Sequence, residues 1–154
     1  MTGTLVVLAP LAGTAVPIAQ VPDPVFAGQM VGSGAAVEPP AGKVFDVVSP
    51  VAGKIVKLLP HAFVVVDSEG RGVLTHVGID TVKLKGEGFE VLAEKGAMVD
   101  AGAPIMRVDP APAVAAGYSM VSPVVVLDTK PDLATSVASG EVEAGAELFA
   151  INGG

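Results

Sequence analysis

A chain of 154 residues with no cysteine, and with nine basic against sixteen acidic side chains, excludes several classes of protein. Its net charge of −7, without any Lys/Arg cluster, disfavours nucleic acid and anionic membranes as partners, and the missing thiols exclude disulfide frameworks and thiolate metal sites. Hydrophobic residues make up 51% of the chain but aromatics only 4%, so the core must come from Val, Ala, Leu and Ile, and 19 glycines and 13 prolines suit one all-β domain with many turns.

From the N-terminus, MTGTLVVLAPLAG is apolar but lacks a basic leader and is interrupted by Pro10 and Gly13, so it reads as a strand, TLVVL (4–8), and not as a signal peptide. Further strand-like runs are VFDVV (44–48), KIVKL (54–58), FVVVD (63–67), GVLTHV (72–77), IMRV (105–108), VVVL (124–127) and ELFAI (147–151). Their spacing predicts an antiparallel β-sandwich with one or two short helices. One helix is expected within DPAPAVAAG (109–117) and another over PDLATSVASG (131–140), where Pro131 stands near the start and Gly140 past the end. No apolar run is long enough to span a bilayer, and the expectation is a free-standing cytoplasmic protein of one domain, 1–154, with its core from about 5 to 151.

Two weak repeats are visible. APLAGTAV (9–16) matches SPVAGKIV (49–56), with SPVVV (122–126) a degenerate third copy, and MVDAGAPIMRV (98–108) matches EVEAGAELFAI (141–151). Their glycines fall where a turn or a close backbone approach is expected.

Both histidines lie in HAFVVVDSEGRGVLTHVGID (61–80). FVVVD and GVLTHV, joined by a polar segment with a glycine, predict a β-hairpin. A two-residue loop, Ser68 and Glu69, sets His61 opposite His76, and a four-residue loop makes them diagonal neighbours. In both cases they share a face with Phe63, Val65 and Leu74, whereas an odd-length loop puts them on opposite faces. Apolar surroundings favour neutral imidazoles, which serve as nucleophile or metal ligand.

Three chemistries use such a pair. A zinc site needs three or four protein ligands, for which His61, His76 and Asp80 are a minimal set, but HVGID lacks the further HxH of lysostaphin-type zinc peptidases. A serine or cysteine triad is unsupported, since there is no Cys and no nucleophile elbow. A phosphohistidine relay needs only two imidazoles, one attacking phosphorus and the other donating a hydrogen bond to its oxygens. A lipoyl- or biotinyl-carrier module is a separate alternative, with Lys130 in LDTKPD as its nearest modifiable lysine.

Together VPDPVFAGQMVGSGAAVEP (21–39), SPVAGKIVKL (49–58), the segment from HAF to RVD (61–109), SPVVVLD (122–128) and GEVEAGAELFAI (140–151) resemble the glucose-class enzyme IIA component of the bacterial phosphoenolpyruvate-dependent sugar phosphotransferase system. The pattern HxGIDTVxLxGEGF is its most specific signature. The resemblance implies an antiparallel β-sandwich of the duplicated hybrid motif type and a phosphotransferase component working through a phosphohistidine. It makes His76 the residue phosphorylated on Nε2, His61 its phosphoryl-stabilising partner, and Asp80 an acidic neighbour. It implies HPr as donor and a cysteine of the EIIB domain of a glucose- or N-acetylglucosamine-class permease as acceptor, and as an alternative a mainly regulatory protein that binds permeases or kinases when unphosphorylated. Phe26, Met30, Val31, Leu74 and Val82 match the partner-docking patch. No cofactor is required, and zinc enters only adventitiously or with a partner's carboxylate completing His61 and His76. Two positions depart from the pattern: Leu59 stands where many relatives carry threonine, and Lys57 where some carry an aromatic residue.

Overall fold

The computed structural model describes residues 3–152. In chain order its strands are β1 (Leu5–Leu8), β2 (Gly13–Pro17), β3 (Gly32–Glu38), β4 (Phe45–Val48), β5 (Gly53–Leu59), β6 (Ala62–Val66), β7 (Gly72–His76), β8 (Phe89–Val91), β9 (Met98–Val99), β10 (Pro104–Val108), β11 (Ser122–Leu127), β12 (Ala134–Thr135), β13 (Gly140–Val142) and β14 (Glu147–Ile151). Two short α-helices interrupt them, α1 (Pro24–Ala27) and α2 (Ala111–Ala116). Every pairing is antiparallel, in one eight-stranded sheet ordered β13-β2-β3-β11-β7-β6-β5-β9 and two three-stranded sheets, β1-β14-β12 and β4-β10-β8. This is the all-β architecture that the strand spacing predicts.

One aliphatic cluster runs from Leu5 to Ile151 and takes the inward residues of most strands. Along β7 it buries Val73 and Thr75, and Val77 just beyond, so Leu74 and His76 point to the opposite face. There a second, smaller cluster of Ile18, Val21, Phe26, Ile79, Val121 and Val125 forms a shelf against which Leu74 packs.

The repeats in the sequence are repeats of structure. The Leu8 N–H donates to the Pro50 carbonyl at 2.9 Å, and the Val48 N–H returns the bond to Pro10 at 2.7 Å. Ala9 N–H to the Ala146 carbonyl (2.6 Å) is mirrored by Ser49 N–H to that of Ala103 (2.8 Å). The two copies therefore occupy equivalent places in two interlocked halves. The glycines they share serve close approach: a Cβ on Gly13 would stand 2.1 Å from the Glu38 carbonyl oxygen, and one on Gly53 the same distance from that of Val66.

Elsewhere local reading fails for physical reasons. The segment 131–140 is no helix, because Asp132, Ser136 and Gly140 have φ of 65°, 52° and 79°, which a right-handed helix does not accept. Instead Ala134 N–H bonds the Ser33 hydroxyl, β12 pairs with β14, and β13 pairs with β2. Strand β3 carries no alternating signal because GSGAAVE, six of whose seven residues are buried, is packed on both faces. The helix expected within 109–117 is α2, ended by Gly117 at φ 80°.

Candidate active site

Strands β6 and β7 form the expected hairpin, but with an odd loop. Ala62 pairs with His76 and Val66 with Gly72, and Asp67 N–H donates to the Arg71 carbonyl at 3.0 Å, which leaves Ser68–Gly70 as the loop. In a continuous strand this register would separate the two histidines. They meet because His61 lies outside the strand, in the two-residue turn Pro60–His61 that joins β5 to β6 across the Leu59–Ala62 pair. Strand alternation does not bind a turn residue, and Pro60 supplies the fixed φ suited to its first position. Val77 N–H donates to the His61 carbonyl at 2.7 Å, and the His61 ring meets His76 edge-on, with centroids 5.2 Å apart and planes at 74°. The expectation that Phe63 and Val65 share this face is corrected: both side chains are fully buried in the main core, although Phe63 also borders the depression that His61, Leu74 and His76 line.

His76 Nδ1 stands 2.6 Å from the Gly78 carbonyl oxygen. A carbonyl only accepts, so Nδ1 carries the proton and Nε2 keeps the free lone pair. Several groups hold that carbonyl. Gly78 sits at φ 79°, its N–H donates to Ser122 Oγ at 3.2 Å, and Thr81 Oγ1 donates to the Val77 carbonyl at 2.6 Å. On the other side, Phe26 approaches the His76 ring with centroids 5.3 Å apart. Phe26 is placed by α1, whose N-cap Asp23 accepts from Val25 N–H (2.9 Å) and Phe26 N–H (3.3 Å), with Pro24 in the first turn. Asp23 is the site residue that sequence reasoning misses, and Asp followed by Pro, an N-cap before a helix-starting proline, is the signal that would have found it.

Burial, above all, lowers the His76 pKa below its ordinary value, opposed by the Gly78 carbonyl and the negative charges of Asp23 and Asp80. His61 is lowered too, first by burial and then by the charge of His76. Both rings are therefore neutral at pH 7. Because the folded chain binds protons more weakly than the unfolded chain, whose histidines titrate near 6.5, this contribution to stability is full above that pH and lost as pH falls towards the folded values. Thermal melts are expected to hold steady from about pH 8 to 7 and decline below about 6.5, with a smaller decline in a His61→Gln, His76→Gln double variant. An undiminished decline in that variant would contradict the assignment.

Both rings line a depression of about 330 Å³ together with Lys57, Leu59, Val64, Leu74 and Leu127. A larger one, about 540 Å³, lies over Lys54, Val56, Met98 and Asp100, but it contains no histidine, and its Asp67 is engaged by Arg71. Of the predicted docking residues, Phe26 touches His76, Leu74 lines the histidine depression, and Val31 packs half-buried against the Phe26 cluster. Met30 and Val82 are 74% and 56% exposed.

Asp80 is exposed at φ 63° ahead of the 3-10 turn Thr81–Leu84 and makes no capping bond, so it acts on His76 through its field. Among the described residues no three His, Cys, Asp or Glu side chains converge, so His61, His76 and Asp80 do not make the zinc site that their spacing allowed. Lys130 is exposed between β11 and β12, which belong to different sheets, and so is not at the hairpin tip that a carrier lysine needs. No helix among the described residues is long and apolar enough to cross a membrane.

Residues 5–131 match the family model for the phosphoenolpyruvate-dependent sugar phosphotransferase system, EIIA 1. The chain is 39% identical over 135 residues to a glucose-specific EIIA component of Staphylococcus aureus, covering 86% of this chain and 78% of the relative. It is 47% identical over 120 residues, 77% of this chain, to the N-acetylglucosamine-specific EIICBA component of Escherichia coli. It spans only about a fifth of the length of such EIICBA relatives. Among solved structures it resembles the glucose permease IIA of Mycoplasma capricolum, with a TM-score of 0.87 and 34% identity, over 97% of this chain and 96% of that one.

Proposed function

Since this chain belongs to the EIIA 1 family of the phosphoenolpyruvate-dependent sugar phosphotransferase system, we propose that it is a phosphocarrier that receives a phosphoryl group from HPr on His76 Nε2. It then passes the group to a cysteine in the EIIB domain of a glucose- or N-acetylglucosamine-class permease, working in the cytoplasm. The observation that carries this reading is the 2.6 Å contact between His76 Nδ1 and the Gly78 carbonyl, which leaves Nε2 as the nucleophilic lone pair.

In the first step that lone pair attacks phosphorus as the bond to the donor breaks, and the bonding electrons leave with the donor. Positive charge developing on the imidazole is met by the Gly78 carbonyl through Nδ1–H. In the second step the acceptor sulfur attacks phosphorus, and the P–N electrons return to Nε2. His61 donates an N–H to a phosphoryl oxygen in this second transfer, as the P–N bond breaks. The negative charges of Asp23 and Asp80 near His76 oppose the further negative charge of the phosphoryl group and so keep the phosphorylated ring reactive. Zinc would be held at the two imidazoles only with a partner's carboxylate completing the set.

Labelled phosphoenolpyruvate, enzyme I and HPr should load the chain with acid-labile phosphate, which a glucose- or N-acetylglucosamine-class EIIB domain then drains. Absence of label, or an acid-stable label, overturns the reading. His61→Gln should still accept the group but pass it on about 10²-fold more slowly, the typical cost of losing one preorganised donor to a charged intermediate. Drainage at the wild-type rate would remove His61 from the mechanism.

A further inference from the structure

Strand β5 is not regular. Ile55 pairs with Val65 and Lys57 with Val64, so two steps on β5 face one on β6 and Val56 is the extra residue of a β-bulge. The bulge decides where Lys57 points. Ile55 is buried in the main core; without the extra residue Val56 would take the outer place opposite Val64, and Lys57 would follow Ile55 inward. As built, Val56 is 42% exposed, and Lys57 lies on the outer face, lining the same depression as His61 and His76. A bulge beside a reactive group is a recurring means of re-aiming a side chain.

The surrounding charges give that placement a use. The ionisable groups lining the depression are Lys57 and the two histidines, and the histidines are neutral at pH 7. The charges acting on His76, those of Asp23 and Asp80, are both negative. Among the described residues no carboxylate lies within ion-pair distance of Lys57. A phosphoryl group on Nε2 would bring close to two negative charges into this setting, where Lys57 is the one cationic side chain lining the depression.

We infer that Lys57 is a charge-compensating residue, its ammonium facing the phosphoryl group carried on His76 and stabilising the loaded form. The inference rests on His76 being the phosphoryl acceptor, and the test separates the two. The full chain is loaded with phosphoramidate, a small donor with no docking surface, in wild-type, Lys57→Met and Lys57→Arg forms. The second ionisation of the bound phosphoryl group is followed by 31P NMR, and equilibrium occupancy is measured against phosphorylated HPr. Lys57→Met should raise that ionisation by about half a unit or more, with occupancy lower by about three- to tenfold. The difference should shrink with added salt, and arginine should restore most of it. Unchanged phosphoryl ionisation in loaded Lys57→Met overturns this inference alone, as does slower transfer from HPr with unchanged ionisation, which would make Lys57 a partner contact. A wild-type chain that takes no phosphate from either donor overturns the His76 assignment, and this inference with it.

Discussion

His76→Gln is expected to take up no acid-labile phosphate from HPr, a fall of about 10⁴-fold or more, while remaining folded. Glutamine keeps much of the shape and can still offer an N–H towards the Gly78 carbonyl, but its amide nitrogen has no available lone pair. The chemistry is removed and the packing largely kept. Only modest destabilisation, within about 1 kcal/mol, should follow, because His76 is half-buried on the outer face and no part of the main core. Incubation with labelled phosphoenolpyruvate, enzyme I and HPr, with a melt on the same sample, checks both halves. Undiminished label in the variant would move the acceptor to another residue, and His61, 5.2 Å away between centroids, would be the first candidate.

Gly78→Ala is expected to have the next largest effect, and through geometry alone. The residue sits at φ 79°, and a Cβ there would stand 2.5 Å from Thr81 Cγ2 and 3.1 Å from the Ser119 carbonyl oxygen. Thr81 is fully buried and its hydroxyl is bonded to the Val77 carbonyl, so it yields only by giving up that bond. The alternative is rotation of the peptide that presents the Gly78 carbonyl to His76 Nδ1. Both routes loosen the group that holds the ring's tautomer. Destabilisation of about 1–3 kcal/mol should accompany a loss of about 10²-fold in the rate of phosphoryl acceptance. Calorimetry and a phosphorylation time course separate the two effects, since the rate loss should persist at temperatures where the variant is fully folded. A folded variant with wild-type rate would show that the carbonyl does not orient the nucleophile.

Much of this was legible in the chain itself. Aliphatic runs broken by glycine and proline marked most of the strands, and the paired segments 9–16 and 49–56 marked the two interlocked halves. HxGIDTVxLxGEGF marked the family. What was not legible depends on pairings distant in sequence. The parity of the Ser68–Gly70 loop is set by the Asp67–Arg71 closure, and the adjacency of the rings comes instead from a turn that releases His61 from strand alternation. Residues 131–140 carry the punctuation of a helix, yet they contact Ser33 and Gln29, about a hundred positions away. The orientation of Lys57 depends on a bulge that no local pattern announces, because Val56 and Lys57 read as an ordinary alternation until the register with Val64 and Val65 is known. Asp23 was readable as a helix cap, but its influence on His76 emerges only when α1 folds over β7.

The most direct test of the central claim is the nitrogen that bears the phosphorus. With 15N-labelled histidine in the loaded protein, 31P–15N coupling should appear at Nε2 of His76, with Nδ1 still protonated and hydrogen-bonded to the Gly78 carbonyl. Coupling at Nδ1 of His76, or at either nitrogen of His61, would contradict it.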